Sequence, residues 1–288
     1  MLLLSRRKQF FFEKKNQKTF VSADADSTGK SFLLLFFKKE GLPFLGLIVP
    51  VFLLIAWQAA GTRIPQDLLP APATVLRALV QMARSGELAG NLIASLRRLA
   101  LGFCLGAGVG TVLGAVTGGS VAARRLLDPT VQALRSVPSI AWVPPFILWF
   151  GIFEGSKVYL IALGAFFPVY LNLMAGIANV DRKMVEVGQV LTLTPLQRVV
   201  HILLPASLPS YVIGLRTGLG LAWMFVAAAE LMGASDGLGF LLMDAEQTGR
   251  PERVLGAILL FAVCGKATDW GVAALGARLN VAGHRGAR

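Results

Sequence analysis

Long apolar runs separated by short polar intervals dominate the chain. Crossing a hydrocarbon core of ~30 Å takes about 20 helical residues. Runs of that order fall near 43–60, 96–119, 131–151, 156–178, 208–232 and 254–275. The pattern predicts an all-α polytopic membrane protein with six transmembrane helices, and an even number leaves both termini on one side. Residues 1–41 stand outside it as an N-terminal tail, 42–280 form the transmembrane domain, and 281–288 a C-terminal tail. Between the first two runs, 65–98 is a polar connection with a helix through Ala73–Met82. Glu87–Leu101 then carries Arg97 and Arg98 into the second run. Those arginines either mark an anion path or snorkel to the interface, and their nearness to a helix end favours snorkelling.

One polar interval has a helical plan of its own, Val185–Pro209. Asp181 can cap a first short helix. Thr194-Pro195-Leu196-Gln197 supplies an N-cap, a proline at the first helical position and a capping-box partner for a second. The break therefore falls at Leu191–Leu193. On the second helix Leu196, Val199, Val200, Leu203 and Leu204 make an apolar stripe opposite Gln197, Arg198 and His201, and Pro205 and Pro209 end it. A two-helix loop with one apolar stripe, held close to a membrane, is shaped to present a knob to another protein.

Two runs carry signals of their own. The second holds Gly102, Gly106, Gly110, Gly114 and Gly118, one every four residues. Successive members lie ~40° apart around the helix, so they form a smooth band along ~24 Å of a slowly turning face. Such a band packs against another helix, in the same subunit or in a second copy, because close backbone approach is what joins helices in a membrane. The third run opens with Arg135-Ser136-Val137-Pro138-Ser139-Ile140-Ala141-Trp142-Val143-Pro144-Pro145. Three prolines break the backbone ladder, which a membrane tolerates where protein or a watery cavity covers the freed carbonyls. This stretch is expected to line a pathway or a subunit contact.

Composition agrees: 55% hydrophobic residues, 15% charged and a mean hydropathy of +0.65 lie outside the range of soluble proteins. The net charge of +12 resides in the tail and in loops, which reads as topogenic and excludes nucleic acid as the expected partner. With the N-terminus inside, 17 lysines and arginines lie on the inner side against 6 outside, and Val185–Pro209 is cytoplasmic. Cys104 and Cys264 lie inside apolar runs, so no disulfide framework is implied. In the tail, Met1–Leu4 is too short for the apolar core of a signal peptide. Ser27–Ser31 ends like a phosphate-binding loop, but Asp24 stands where the first glycine belongs, and the likeness is coincidental. Phe32–Phe37, flanked by lysines, is either a short element on the membrane surface or plain tail.

No catalytic constellation emerges. The two histidines, His201 and His284, build neither a zinc motif nor a Ser-His-Asp set, and neither cysteine has partners at metal-ligand spacing. No metal site and no catalytic residue are expected. What remains are polar groups in the runs, where a charge must be paired, snorkel or face water. Arg135, Ser139, Trp142, Tyr170, Asn172, Arg216, Trp223 and Glu230 are the candidates for a substrate pathway. Arg216, about two turns into the fifth run, either favours an oxyanion there or is held by a carboxylate, and the pairing is the stronger reading. Lys266 and Asp269, at i and i+3, neutralise each other.

Glu186, followed at a distance by Leu204-Pro205 and Pro209, resembles the E-A-A loop of the membrane subunits of bacterial ABC importers, the binding-protein-dependent permeases. Val187-Gly188 stand where that family usually has small alanine-like residues, and Thr192 where it usually has glycine. The stretch RSVPSIAWVPPFILWFGI followed by Phe166-Phe167-Pro168-Val169-Tyr170-Leu171-Asn172 is similar to the sulfonate, taurine and nitrate branch. Ala229-Glu230 with Gly237–Leu241, and Gly265-Lys266 with Asp269, agree with it, and the likeness runs from Pro43 to Asn280.

The resemblance implies a permease subunit in a bacterial inner membrane, both termini cytoplasmic. Its coupling loop, 181–206 between helices 4 and 5, would dock on an ATPase through Glu186, Gly188, Thr192, Thr194, Pro195, Leu204 and Pro205. Implied partners are two ATPase copies, a second permease copy, a periplasmic or extracellular substrate-binding protein and membrane lipid. The chain itself would hold no cofactor, with ATP and Mg on the ATPase. The implied mechanism is alternating access, and the implied substrate a small organic oxyanion, aliphatic sulfonate before taurine and nitrate. The rival class is a secondary carrier or channel needing no ATPase, which often shows an internal repeat. No duplication between the halves is visible.

Overall fold

A computed structural model of the chain describes residues 45–285. The tail readings at Ser27–Ser31 and Phe32–Phe37 lie outside the described residues. The chain divides into a unit ending at Phe52 and a second, Leu53–Arg288. Helix α1 (Leu45–Gly61) supplies the described part of the first and the opening of the second. Within the second unit follow α2 (Pro72–Arg84), α3 (Glu87–Gly119), α4 (Val121–Arg135), a 3-10 turn (Ser139–Trp142) and α5 (Val143–Phe150). Then come α6 (Glu154–Ala178), α7 (Arg182–Val190), α8 (Pro195–Arg198), a π turn (Val199–Leu203), α9 (Leu204–Leu231), α10 (Leu238–Gln247) and α11 (Pro251–Arg285). No strand occurs among the described residues.

Among the described residues, four helical stretches are long and apolar enough to cross a membrane: Glu87–Gly119, Glu154–Ala178, Val199–Leu231 and Pro251–Arg278. Ile48–Gly61 and Ile140–Phe150 are apolar but shorter. The run expected at 131–151 is not one helix. Pro138 and the Pro144-Pro145 pair withhold amide donors, and the chain answers with α4, the 3-10 turn and an eight-residue α5. The second span is longer than its apolar run, because α3 begins at Glu87 and carries its polar first turns against neighbouring helices.

The glycine band meets α6 of the same subunit. A Cβ added at Gly102 would lie 2.6 Å from Ile161 Cβ, one at Gly110 2.9 Å from the Phe166 carbonyl, and one at Gly114 2.9 Å from the Tyr170 carbonyl. Gly118 faces Ile177 in the same way. From the other side α9 applies Gly214 and Gly218, the latter 3.0 Å from the Ala165 carbonyl when given a Cβ. Helix α6 is thus clasped by two glycine faces, and Ile161, Ala165, Val169, Tyr170 and Leu173 along it are all fully buried. The outer faces of α3 and α11 expose Val109, Val112, Val116, Val263 and Trp270, as a lipid-facing surface does.

Two joints complete the scaffold. Ser120 caps α4, accepting from the Ala123 amide at 3.3 Å, and Arg124 reaches back to donate to the Thr117 and Gly118 carbonyls at 3.0 and 2.9 Å. The last carbonyls of α3 are satisfied by that guanidinium. At the other joint, the prolines expected to end the second loop helix do not end it. The π turn runs directly into α9, and Pro205 sits in the first α-helical turn, where its missing amide leaves little unmade.

Candidate functional site

The loop between α6 and α9 is built on local hydrogen bonds. Asp181 accepts from the Lys183 amide through Oδ1 at 2.9 Å and from the Met184 amide through its carbonyl at 2.9 Å, which opens α7. Thr194 and Gln197 form the reciprocal box that opens α8: the Thr194 amide donates to Gln197 Oε1 at 2.9 Å, and the Gln197 amide to Thr194 Oγ1 at 3.3 Å. Between them α7 closes in a Schellman turn. The Leu193 amide donates back to the Gly188 carbonyl at 3.1 Å, and Thr192 takes the left-handed backbone with φ 54°. The side chains of Pro195 and Leu196 lie outside those described.

The apolar stripe of the second helix faces inward. Leu203 is buried against Leu173 and Ile177 of α6, and Val185, Val199 and Leu204 pack on the same cluster, with Val200 left outside. The exposed apolar surface belongs to the first helix instead: Met184, Val187 and Leu191, at i, i+3 and i+7, stand out beside Val190. Glu186 is exposed on the same helix and lies 3.3 Å from Arg182, a solvent-exposed pair worth little. Gly188 sits where α7 crosses the π turn, since an added Cβ there would lie 2.6 Å from Ile202 Cδ1. The outward face of the loop is therefore that of α7, which packs through Val185 on the α6 cluster and displays valine, leucine and methionine near one carboxylate.

A second feature lies beside the break between α4 and α5. A cavity of about 360 Å³ opens there, and Arg135, Trp142 and Asn172 line it together with Thr217 and the apolar Phe167, Leu221 and Phe225. Three of the eight pathway candidates are thereby brought to one space. Tyr170, Arg216, Trp223 and Glu230 are elsewhere, and the side chain of Ser139 lies outside those described. Tyr170 is buried between α3 and α6, its hydroxyl donating to Asp128 Oδ1 at 3.1 Å. Arg216 is held by Asp269 through two bonds of 2.7 and 2.9 Å, as the pairing reading expected, while Lys266 stands 3.9 Å from that carboxylate. Trp223 donates its indole proton to Thr268 at 2.9 Å and packs on Phe261.

Glu230 is fully buried, away from the cavity, in a cluster that sequence reading missed. Arg98 donates to it at 2.9 Å, to Glu154 at 2.8 and 2.9 Å, to the Asp236 carbonyl at 2.8 Å and to the Asp236 carboxylate. The remaining donors to Glu230 are Ser95 Oγ at 2.8 Å and the Gly239 amide at 2.9 Å. Arg98 does not snorkel: α3 starts at Glu87, so the residue is three turns inside the helix and 3% exposed, whereas Arg97 is 68% exposed. The Gly237-Leu238-Gly239 turn serves this cluster, since Gly237 (φ 113°) and Gly239 let the backbone close on Glu230: a Cβ at Gly237 would strike the carboxylate and one at Gly239 the Glu230 Cβ. The signal for the pairing was two opposite charges inside apolar runs.

Comparison with known proteins gives one answer. A family model described as binding-protein-dependent transport system inner membrane component matches residues 107–281. The putative aliphatic sulfonates transport permease protein SsuC of Bacillus subtilis (strain 168) is 46% identical over 226 residues, covering 78% of this chain and 82% of that protein. The protein of the same description from Escherichia coli (strain K12) is 40% identical over 223 residues, covering 77% and 85%. Among solved structures, a chain of the inward-facing MetNI methionine ABC transporter superposes with a TM-score of 0.59 at 17% identity, covering 67% of this chain and 95% of that one. That last likeness is one of fold.

Proposed function

Because the chain belongs to the family of binding-protein-dependent transport system inner membrane components, we propose that it forms the translocation pathway for a small organic oxyanion, aliphatic sulfonates before taurine or nitrate. As a member of that family it is a non-catalytic, multi-pass inner-membrane permease subunit of an ABC importer, a system that also has an ATPase and a substrate-binding protein. The observation that carries the substrate reading is the 46% identity over 226 residues with a permease named for aliphatic sulfonates.

In this reading two copies of the chain enclose the pathway, and each docks its 181–206 loop in a cleft of one ATPase subunit. The valine-rich face of α7 enters the cleft, Glu186 fixes its register, and Gly188, Thr192, Thr194, Pro195, Leu204 and Pro205 hold its shape. ATP and Mg are bound on the ATPase. The protein crosses the membrane six times, by α1, α3, the broken α4–α5 pair, α6, α9 and α11. Residues 1–41 and 281–288 are tails on the cytoplasmic side, and 42–280 is the transmembrane domain. ATP-driven closure of the ATPase pair draws the two loops together and turns an inward-open pathway outward.

The test is ATP hydrolysis by the reconstituted permease, ATPase and binding protein across ethanesulfonate, longer alkanesulfonates, taurine and nitrate. Stimulation by alkanesulfonates is expected. Glu186→Lys should abolish that stimulation while the permease stays inserted and folded. Normal coupling in the variant removes the docking assignment, and solute uptake by the permease alone, without an ATPase, replaces the importer with a carrier.

A further inference from the structure

The cavity beside the α4–α5 break has an uneven chemistry. Among the described residues its single charged lining residue is Arg135, and no carboxylate lines it. Arg98, Arg182, Arg216 and Arg253 each meet an acidic partner, whereas Arg135 has none among the described residues. Two further donors share the wall. Asn172 spends one amide proton on the Pro168 carbonyl at 2.8 Å and keeps the other. The Trp142 indole has no acceptor among the described residues, in contrast to that of Trp223. Apart from Thr217, the remaining wall among the described residues is apolar, with Phe167 from α6 and Leu221 and Phe225 from α9.

Two glycines give the cavity its form. A Cβ at Gly164 would lie 2.8 Å from Phe225 Cε2, and one at Gly214 would lie 2.8 Å from Asn172 Cβ. The absence of both side chains lets the Phe225 ring lie against α6 and lets Asn172 stand between α6 and α9. A guanidinium without an acidic partner among the described residues and two neutral donors, set in one cavity with aromatic and aliphatic side chains, are complementary to an anion that has an apolar tail. A compact anion such as nitrate uses only the first half of that surface.

We propose that this cavity binds an amphipathic oxyanion, its headgroup on Arg135 with Trp142 and Asn172 and its tail along Phe167, Leu221 and Phe225, so that the membrane subunit itself sorts substrates by their tails. The inference rests on the importer reading and adds a second selection step after the binding protein. Burial of each tail methylene strengthens binding by about fourfold until the wall is used up. The shared headgroup contact contributes the same factor to every member of a series.

Isothermal titration of the permease–ATPase complex in nanodiscs, with no binding protein present, tests this with ethane-, butane- and hexanesulfonate and with sodium nitrate. Affinity should rise from ethane- to hexanesulfonate, and nitrate should not bind measurably. Arg135→Gln should weaken every sulfonate by about tenfold or more, the loss of one charge-assisted hydrogen bond. Leu221→Trp should weaken hexanesulfonate and spare ethanesulfonate. Arg135 and Leu221 both line the cavity and both are exposed, so neither change removes a buried core side chain. Binding that is absent, independent of tail length or unchanged in Arg135→Gln overturns the proposal. ATP-dependent uptake by the full complex, measured alongside, separates the two readings. Uptake that needs ATP alongside a flat affinity series sinks the cavity assignment alone, and uptake that ignores ATP sinks the importer reading.

Discussion

Thr192 is the sole non-glycine residue with a positive φ among those described, and it sits where α7 must turn back. A β-branched residue in the left-handed region carries a steric cost of about 1–2 kcal/mol that glycine avoids. Thr192→Gly should therefore stabilise the α7–α8 turn by about 1 kcal/mol, read as slower amide exchange at Leu193, whose proton closes the turn; faster exchange there would contradict the strain argument. The Arg98 cluster makes the opposite case. Arg98→Met leaves the Glu230 carboxylate buried with only a hydroxyl and an amide for company, and about 3–5 kcal/mol should be lost. Adding Glu230→Met removes the orphaned charge and should restore much of the melting temperature in detergent. A double variant no better than the single would mean that Glu230 is not what the loss exposes. The caps at Asp181 and Thr194 were legible from sequence because their partners lie two or three residues away. Arg98 was not, since its partners lie 56, 132 and 138 positions off, a distance only the tertiary fold closes.

At the scale of elements, periodicity was a good guide and packing partners were not written in it. Five glycines in register gave the smooth face of α3, but that α6 covers it, and not a second copy, follows from the fold. Gly110→Leu should cost at least ~1–3 kcal/mol, because the added side chain meets the Phe166 carbonyl and the Tyr170 amide, backbone that cannot step aside. The expected readout is a lower melting temperature, with the number of copies in the complex unchanged; a change in copy number with no change in melting would reassign the face to an intersubunit contact. The loop shows the limit of the same reasoning. Its second helix has the better apolar stripe, yet that stripe is consumed by Leu173 and Ile177, and the weaker pattern of α7 is left to face outward. Which of two amphipathic faces is buried depends on the neighbour that the fold sets against it, here the end of α6. Likewise the prolines at 138, 144 and 145 announced a break, while the cavity beside it needed α6 and α9 to supply the other walls.

Across the whole molecule, membership of the importer family was legible because its marks are local: Glu186 with Leu204-Pro205, and the proline-rich run after Arg135. The arrangement of the pathway was less so, since Tyr170, Trp223 and Glu230 look much like Trp142 and Asn172 in one dimension but point into packed interiors. One element joins the parts. The end of α6 at Leu173 and Ile177 carries the loop, and its middle, at Phe167 and Asn172, forms a wall of the cavity. About ten residues separate Ile177 from Phe167, some 15 Å of helix. Glycine faces grip α6 on both flanks with backbone in contact, leaving little room for it to slip past α3 or α9. In the proposed coupling step, a displacement of α7 is therefore passed along α6 to the cavity wall, as along a connecting rod.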